Sequence, residues 1–469
     1  SSSWSGFVDR HAVGPLLRRK SREGVSLTPP GHTRANALWR PRLLVESDDR
    51  PPAGRATPRR SRPVVDPPAG DLSATLLDPS SRRATSTPRK GRLPRWVVRA
   101  LGLYLASRVL VWLAGLMAVG IAPPARASNW FERWDSFWYL EIARHGYPSV
   151  IEPLSQDRPY SPLAFFPLWP LLVRGTGNLI GGHPTIAAYL LNFLLAGVLA
   201  LLVRMVFARV TDDRTADVAV LLYVFFPGTN VFSAAYSEPL ALCLAAGTLL
   251  ALLHRRWWVA GILAALAGAT RPPIAMAVFA ALAWVVLAAV ARPATGEDGL
   301  RRLRPLIAPL LAPLGLVAFA VYGWRHTGHP LAWREAEQLF GNHIDFGRSF
   351  ATDVSGAIAE NVRAPATGLA VLVWISVAIL LVLAVFFVLR LPPAMLVVYT
   401  VVSLVVPATT SALMPKVRFL AAAFPLILPL AGWLRERGRE TLLGVVVGVE
   451  ASLLVGFTMM HLLATLAFP

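Results

Sequence analysis

The chain has one cysteine, few charges and fewer acids than bases, and each shortage excludes something. With Cys243 as the only thiol, it can form no intrachain disulfide and no cysteine-based zinc site. Charged residues fill 16% of the 469 positions, against about 25% in ordinary soluble domains. A GxxxxGKS or GxxxxGKT phosphate loop is missing, as is a GxGxxG following a strand. No soluble stretch is large enough to hold a nucleotide sugar, so any sugar donor would have to arrive through a membrane on a lipid carrier. No repeat of fixed period and no obvious pair of matching halves is visible, which counts against the inverted-repeat plan of many transporters.

What is present is apolar length. Hydrophobic residues make up 55% of the chain and the mean hydropathy is +0.51. Runs of about 20 apolar residues recur, the signature of an all-α polytopic membrane protein. The formal charge of +19 would point to nucleic acid in a soluble chain. Here it concentrates in the first ninety-odd residues and in short loops, so positive-inside topology and anionic lipid account for it and no nucleic-acid partner is expected.

Residues 1–93 are rich in Arg, Pro and Ser and carry little apolar periodicity, so they are expected to form a disordered basic cytoplasmic tail. This tail lacks the apolar stretch of a signal peptide. Residues 94–469 then form the transmembrane domain, entering outward through a span at 96–121. Pro162, Pro167 and Pro170 interrupt the apolar run at 161–181. Treating that run as interfacial or re-entrant keeps Arg204, Arg209, Arg214 and every later basic loop on the cytoplasmic side. The expectation is about 11 transmembrane helices, with large outer loops at 122–183 and 325–365 and a multi-pass location in the cell membrane.

The most telling stretch is 133–147, RWDSFWYLEIARHGY, just beyond the first span. A carboxylate beside a lipid surface is solvated, paired or chemical. Asp135 flanked by Trp134, Trp138 and Tyr139 suits a base that activates a sugar hydroxyl while rings stack on sugar faces. The same pattern also fits an amphipathic interfacial helix anchored by its aromatics.

Under this topology Glu238, Arg271, Lys416 and Arg418 reach the same outer face as Asp135. One acid on an aromatic loop with cations at the ends of separate spans suits a reaction with a phosphate leaving group. The acid takes the acceptor's proton, and Arg or Lys neutralises charge on the departing phosphate. Each residue has a plainer role open to it. Glu238 can complement a helix N-terminus, Arg271 can snorkel to headgroups, and Lys416 and Arg418 can anchor at the interface. Asn192, within a span, suits an interhelical hydrogen bond. His326, His329 and His343 lack an acid at metal-site spacing, so no metal or other cofactor is expected.

The run from Arg133-Trp134-Asp135 to His145-Gly146-Tyr147, followed by Phe165-Phe166-Pro167-Leu168-Trp169-Pro170, resembles the signature of the PIG-V family. These are mannosyltransferases that add the second mannose in GPI-anchor synthesis, together with bacterial relatives. Tyr236-Ser237-Glu238-Pro239, Ala269-Thr270-Arg271-Pro272 and Arg418-Phe419 follow in the same order, so the likeness covers about 95–467. The resemblance implies a C-type glycosyltransferase fold with its active site at the extracytoplasmic face. It also implies a polyprenyl- or dolichyl-phosphate-mannose donor, a lipid, glycolipid or glycoprotein acceptor, and inversion at the anomeric carbon. Asp135 matches the family's acid in the first outer loop and is implied to be the base. The alternatives are a C-type transferase for another lipid-linked sugar, and a lipid or solute transporter.

Overall fold

The computed structural model describes residues 93–121, 134–152, 160–291, 300–349, 351–352, 355, 368–411 and 417–463. The basic tail expected at 1–93 lies outside these apart from its last residue, as do Arg133 and Lys416. The described residues are mostly helical and contain no strand; a single antiparallel bridge joins Ile344 to Thr410.

The first half of the domain runs α1 (Arg95–Ile121), α2 (Asp135–His145), α3 (Leu168–Leu179), α4 (Pro184–Val210), α5 (Asp213–Phe225), α6 (Glu238–Leu253), α7 (Trp257–Gly268) and α8 (Pro272–Val290). The second half adds α9 (Ile307–Leu311), α10 (Leu314–Thr327), α11 (Ala332–Leu339), α12 (Gly368–Leu389), α13 (Ala394–Ala408), α14 (Val417–Ala422), α15 (Leu428–Leu434) and α16 (Glu440–Leu463).

Five segments are long and apolar enough to cross a membrane: α1, α4, α8, α16 and Leu303–Thr327. A sixth arises if α5 and the 3₁₀ turn Pro227–Ser233 count as one span bent by 68°. The sequence treats 215–233 as a single span; the bend falls where Pro227 removes a helix donor. The other expected crossings coincide with shorter apolar helices, among them α6, α7, α13 and Phe424–Leu434. The count of eleven is therefore finer than length and composition establish. The 161–181 run folds as a 3₁₀ turn at Pro162–Ala164 and the 12-residue α3. At 1.5 Å per residue α3 is about 18 Å long, short of the roughly 30 Å hydrocarbon core.

Small residues hold the bundle together. α7 buries Ala260, Gly261, Ala264, Ala267 and Gly268, one side of a helix that lets neighbouring backbones approach closely. Leucines and valines on the outer sides of α1, α4 and α8 stay exposed, as lipid contact requires.

Polar groups collect at the two ends of this bundle. At one end Arg204 pairs with Asp213 and Asp217 at 3.0 and 3.1 Å, Arg99 with Asp217 at 3.2 Å, and Arg435 with Asp212 at 2.9 Å. The other end, past the C-terminus of α5 and at the N-terminus of α6, holds the candidate site.

Candidate active site

Local chemistry explains how each acid and base reaches this end. α2 begins at Asp135 and ends with Arg144 and His145, charges that complement the helix dipole. It terminates at Gly146, whose φ of +84° few side-chain-bearing residues adopt. Trp134, the residue before Asp135, also has positive φ (54°). Such a backbone is costly for a large side chain and persists only where surroundings impose it, commonly at functional sites. Arg271 precedes Pro272-Pro273 and is therefore driven to an extended backbone (φ −156°, ψ 104°), which carries its side chain away from α8.

Four side chains meet. Arg418 Nη1 donates to Asp135 Oδ2 at 2.9 Å and lies 3.6 Å from Glu238 Oε1. Arg271 Nη2 lies 3.2 Å from Glu238 Oε1, and its Nη1 is 3.9 Å from Asp135 Oδ2. Asp135 is the most open of the four, with 24% of its side chain exposed against 14% for Arg271, 7% for Arg418 and 4% for Glu238. Asp135 is therefore the member most accessible to solvent, while Glu238 is enclosed behind the arginines. Neither Glu238 oxygen accepts a hydrogen bond from the helix N-terminus among the described residues. Glu238 nonetheless stands in the first turn of α6, so its charge also complements that helix's N-terminal dipole. Arg271 and Arg418 point inward rather than to headgroups.

Burial alone would lower the pKa of Arg271, but the charges of Glu238 and Asp135 outweigh it and hold the guanidinium above its usual range. Burial holds the Tyr139 phenol far above its usual range, so it acts as a neutral hydroxyl. Among the described residues, the quartet's two acids and two arginines balance, so it is compensated rather than strongly cationic. Donors remain, because Arg418 reaches both carboxylates through one nitrogen and its Nε makes no hydrogen bond among the described residues.

The segment bearing Glu238 is gripped from three helices. Ser136 Oγ accepts from Ala235 N at 3.1 Å, and Tyr139 Oη lies 2.7 Å from Ser237 Oγ. Trp169 Nε1 donates to Ala235 O at 3.0 Å, and Asn192 Nδ2 donates to Tyr236 O at 2.9 Å and to Ala234 O. The interhelical bond foreseen for Asn192 thus ends on the site's own loop. Ser136 and Trp169 carry no sequence signal for this role beyond their neighbourhood. Arg418 is set by Gly228, since a Cβ there would stand 2.3 Å from Val417 O and 3.0 Å from Arg418 Cα.

The aromatics divide. Tyr139 is buried with its hydroxyl on Ser237. Trp138 is buried, stacked on Phe165 with centroids 6.0 Å apart and edge-on to Tyr160 and Phe340. Both shape the floor of the site rather than offer an open ring face. Half-buried Trp134 packs against the main core. Lys416 falls outside the described residues.

Apolar helices with an ion-paired polar site at one end define a multi-pass membrane protein. Residues 125–322, a segment that contains Asp135, Glu238 and Arg271, match the family described as Mannosyltransferase (PIG-V). GPI mannosyltransferase 2 of Drosophila melanogaster is 28% identical over 172 residues, 29% of this chain. The chain spans about a third, 35%, of that relative's length. Among solved structures, the Archaeoglobus fulgidus oligosaccharyltransferase in its apo form aligns over 76% of this chain and 55% of its own, at 14% identity and a TM-score of 0.40. The same archaeal enzyme in complex with an inhibitory peptide and a dolichol-phosphate aligns over the same shares at 12% identity and a TM-score of 0.36.

Proposed function

We propose that the chain is a membrane mannosyltransferase of the C-type class. In this reading it transfers mannose from polyprenyl-phosphate-mannose to a lipid, glycolipid or glycoprotein acceptor at the extracytoplasmic face, with inversion. The observation that carries the reading is Asp135, the most open member of a buried quartet with Glu238, Arg271 and Arg418.

Asp135 takes the proton of an acceptor hydroxyl, and the acceptor oxygen forms its bond to the anomeric carbon. The bond from that carbon to the carrier phosphate breaks, and its electron pair leaves on the phosphate. Arg271 and Arg418, with Lys416 nearby in sequence, neutralise that charge. Glu238 keeps the two guanidiniums in place between turnovers. The topology that goes with this reading has about 11 crossings, the N-terminus in the cytoplasm and the loops 122–183 and 325–365 outside.

The test is mannose transfer from radiolabelled polyprenyl-phosphate-mannose to a membrane lipid extract by the purified chain and by Asp135→Asn. Transfer by the wild type, lost in a folded variant that still binds donor, supports the assignment. Equal transfer by both removes Asp135 from the mechanism. Consumption of a different lipid-linked sugar overturns mannose as the substrate and keeps the reaction class.

A further inference from the structure

The second large loop brings an acid to the site that the quartet does not include. Glu337 lies on α11, and Phe340 follows it one turn later, on the same side of the chain. Phe340 stacks on Tyr160 with centroids 4.4 Å apart and meets Trp138 edge-on at 5.7 Å. Trp138 lies one turn beyond Asp135 on α2. One turn back from a touching pair of rings, therefore, come Glu337 on one helix and Asp135 on the other. The Glu337 carboxyl group feels the charges of both Asp135 and Arg271.

Two further contacts fix the loop there. Ala336 packs with Leu163 and Ala164 of the 3₁₀ turn, and His326 Nε2 reaches Tyr147 O at 3.1 Å. Asn342 turns back onto Glu337, its backbone N–H donating to the Glu337 carbonyl at 3.0 Å and its side-chain amide donating to Glu337 Oε2. Among the described residues, the ion pairs of Arg271 and Arg418 end on Asp135 and Glu238. Glu337 is left half-buried beside the Asn342 amide and the Trp333 side chain, with no ion pair among the described residues. Burial raises its pKa, and the charge of Asp135 adds to this, by more than Asn342, Arg271 and Trp333 lower it.

A half-buried carboxyl group one turn from Phe340, on which the partly open ring of Tyr160 stacks, fits a hydroxyl-rich molecule whose apolar face lies on the ring's open side. We propose that Glu337 is an acceptor-binding residue, holding a second hydroxyl of an acceptor that carries at least two neighbouring hydroxyls while the first meets Asp135. The proposal rests on the transferase reading above. It narrows the acceptor to a polyol or sugar, and it makes α11 the element that selects it.

The experiment compares wild type and Glu337→Gln with octyl α-mannoside, each of its monodeoxy analogues and a peptide with a single serine hydroxyl. Polyprenyl-phosphate-mannose is the donor in transfer assays, and calorimetry measures acceptor binding separately. The expected result is a rise of about ten- to a hundredfold in acceptor KM for Glu337→Gln on octyl α-mannoside, with kcat little changed. One deoxy analogue should show the same rise in the wild type and no further rise in the variant, because the lost hydroxyl and the lost carboxylate are one interaction. A purely structural role would shift all acceptors equally, and that outcome overturns the proposal. Equal affinities of wild type and variant overturn it too, as does a wild type that uses the serine peptide as well as the mannoside. If the wild type transfers no mannose but calorimetry shows the Glu337-dependent loss for one hydroxyl, the donor reading fails and the binding assignment stands.

Discussion

Arg418 donates to Asp135 at 2.9 Å across 283 residues of sequence, joining the last third of the chain to its first outer loop. The contact makes Arg418 both a partner of the open acid and, at 3.6 Å, a counter-charge to the buried Glu238. Removing it leaves two carboxylates sharing Arg271.

The first prediction separates those roles. Arg418→Met should lower stability by about 1–3 kcal/mol, because Asp135 loses its 2.9 Å partner and the nearly enclosed Glu238 must share Arg271 with it. Adding Glu238→Gln should recover much of that loss without recovering mannose transfer. Thermal unfolding in detergent and a transfer assay on the same preparations check both halves. Recovery of activity in the double variant would make Arg418 a structural residue only.

The second concerns the backbone that carries Arg418. Gly228→Ala places a methyl group 2.3 Å from Val417 O, a distance real structures do not tolerate. The 3₁₀ turn must then retreat from Val417–Arg418, with destabilisation of about 1–3 kcal/mol. Donor kcat/KM should fall while helical circular dichroism is unchanged. Wild-type kcat/KM in the Gly228→Ala variant would show that Arg418 does not need this approach.

Much of this site was legible in the sequence, and the reason is local. Asp135, Glu238 and Arg271 each sit beside a helix start or a proline near the end of an apolar run, so hydropathy together with the distribution of basic loops placed them at one face. What stayed hidden depends on side-chain direction in three dimensions. Nothing in the sequence pairs Arg418 with Asp135, or shows that the arginines are neutralised before any phosphate arrives. Trp138 and Tyr139 read as open rings because a linear pattern does not reveal that Phe165 and Ser237 cover them. Glu337 was invisible for the opposite reason: an acid in a polar loop helix has no local anomaly. The span at 215–233 was legible as apolar but not as broken, although Pro227 stood in it.

The third prediction is a pH dependence at the far end of the bundle. Asp212 caps α5, accepting from the N–H groups of Arg214 and Thr215, each at 3.1 Å, from Thr215 Oγ1 at 2.7 Å and from Arg435 at 2.9 Å. Burial opposes its ionisation, but the Thr215 bonds, Arg435 and Arg214 together hold its pKa below the usual carboxylate value. A depressed folded pKa means the stabilisation is complete above the unfolded value, roughly 3.9. It fades as pH falls through the folded value. Asp212→Ala should therefore be less stable than wild type at neutral pH by about 1 kcal/mol, a typical loss for a cap. The difference should shrink in the acid range below about pH 4. A gap that stays constant down to the lowest workable pH would contradict the linkage.

The fourth joins the membrane interior to the site. Arg108, fully buried in α1, donates to Thr229 O at 2.8 Å, Thr229 Oγ1 at 3.0 Å, Ser233 Oγ at 3.1 Å and Val224 O at 3.4 Å. These partners span the break between α5 and the 3₁₀ turn, where the helix leaves carbonyls without internal donors. An arginine within a span is costly unless its donors are used, and here its planar fork reaches both sides of the bend at once. That same turn contains Gly228, against which Val417 and Arg418 lie. Loosening the bend should therefore reach the site. Arg108→Lys keeps the charge but loses the fork, so at least two of the four bonds should go, at about 1–3 kcal/mol for each group left unpaired. Its donor kcat/KM should fall, and kcat with it, because Arg418 stabilises charge on the departing phosphate even though Asp135 is untouched. If Arg108→Lys loses stability while kcat and donor KM stay at wild-type values, the bend does not act through Arg418, and the buried arginine supports the fold alone.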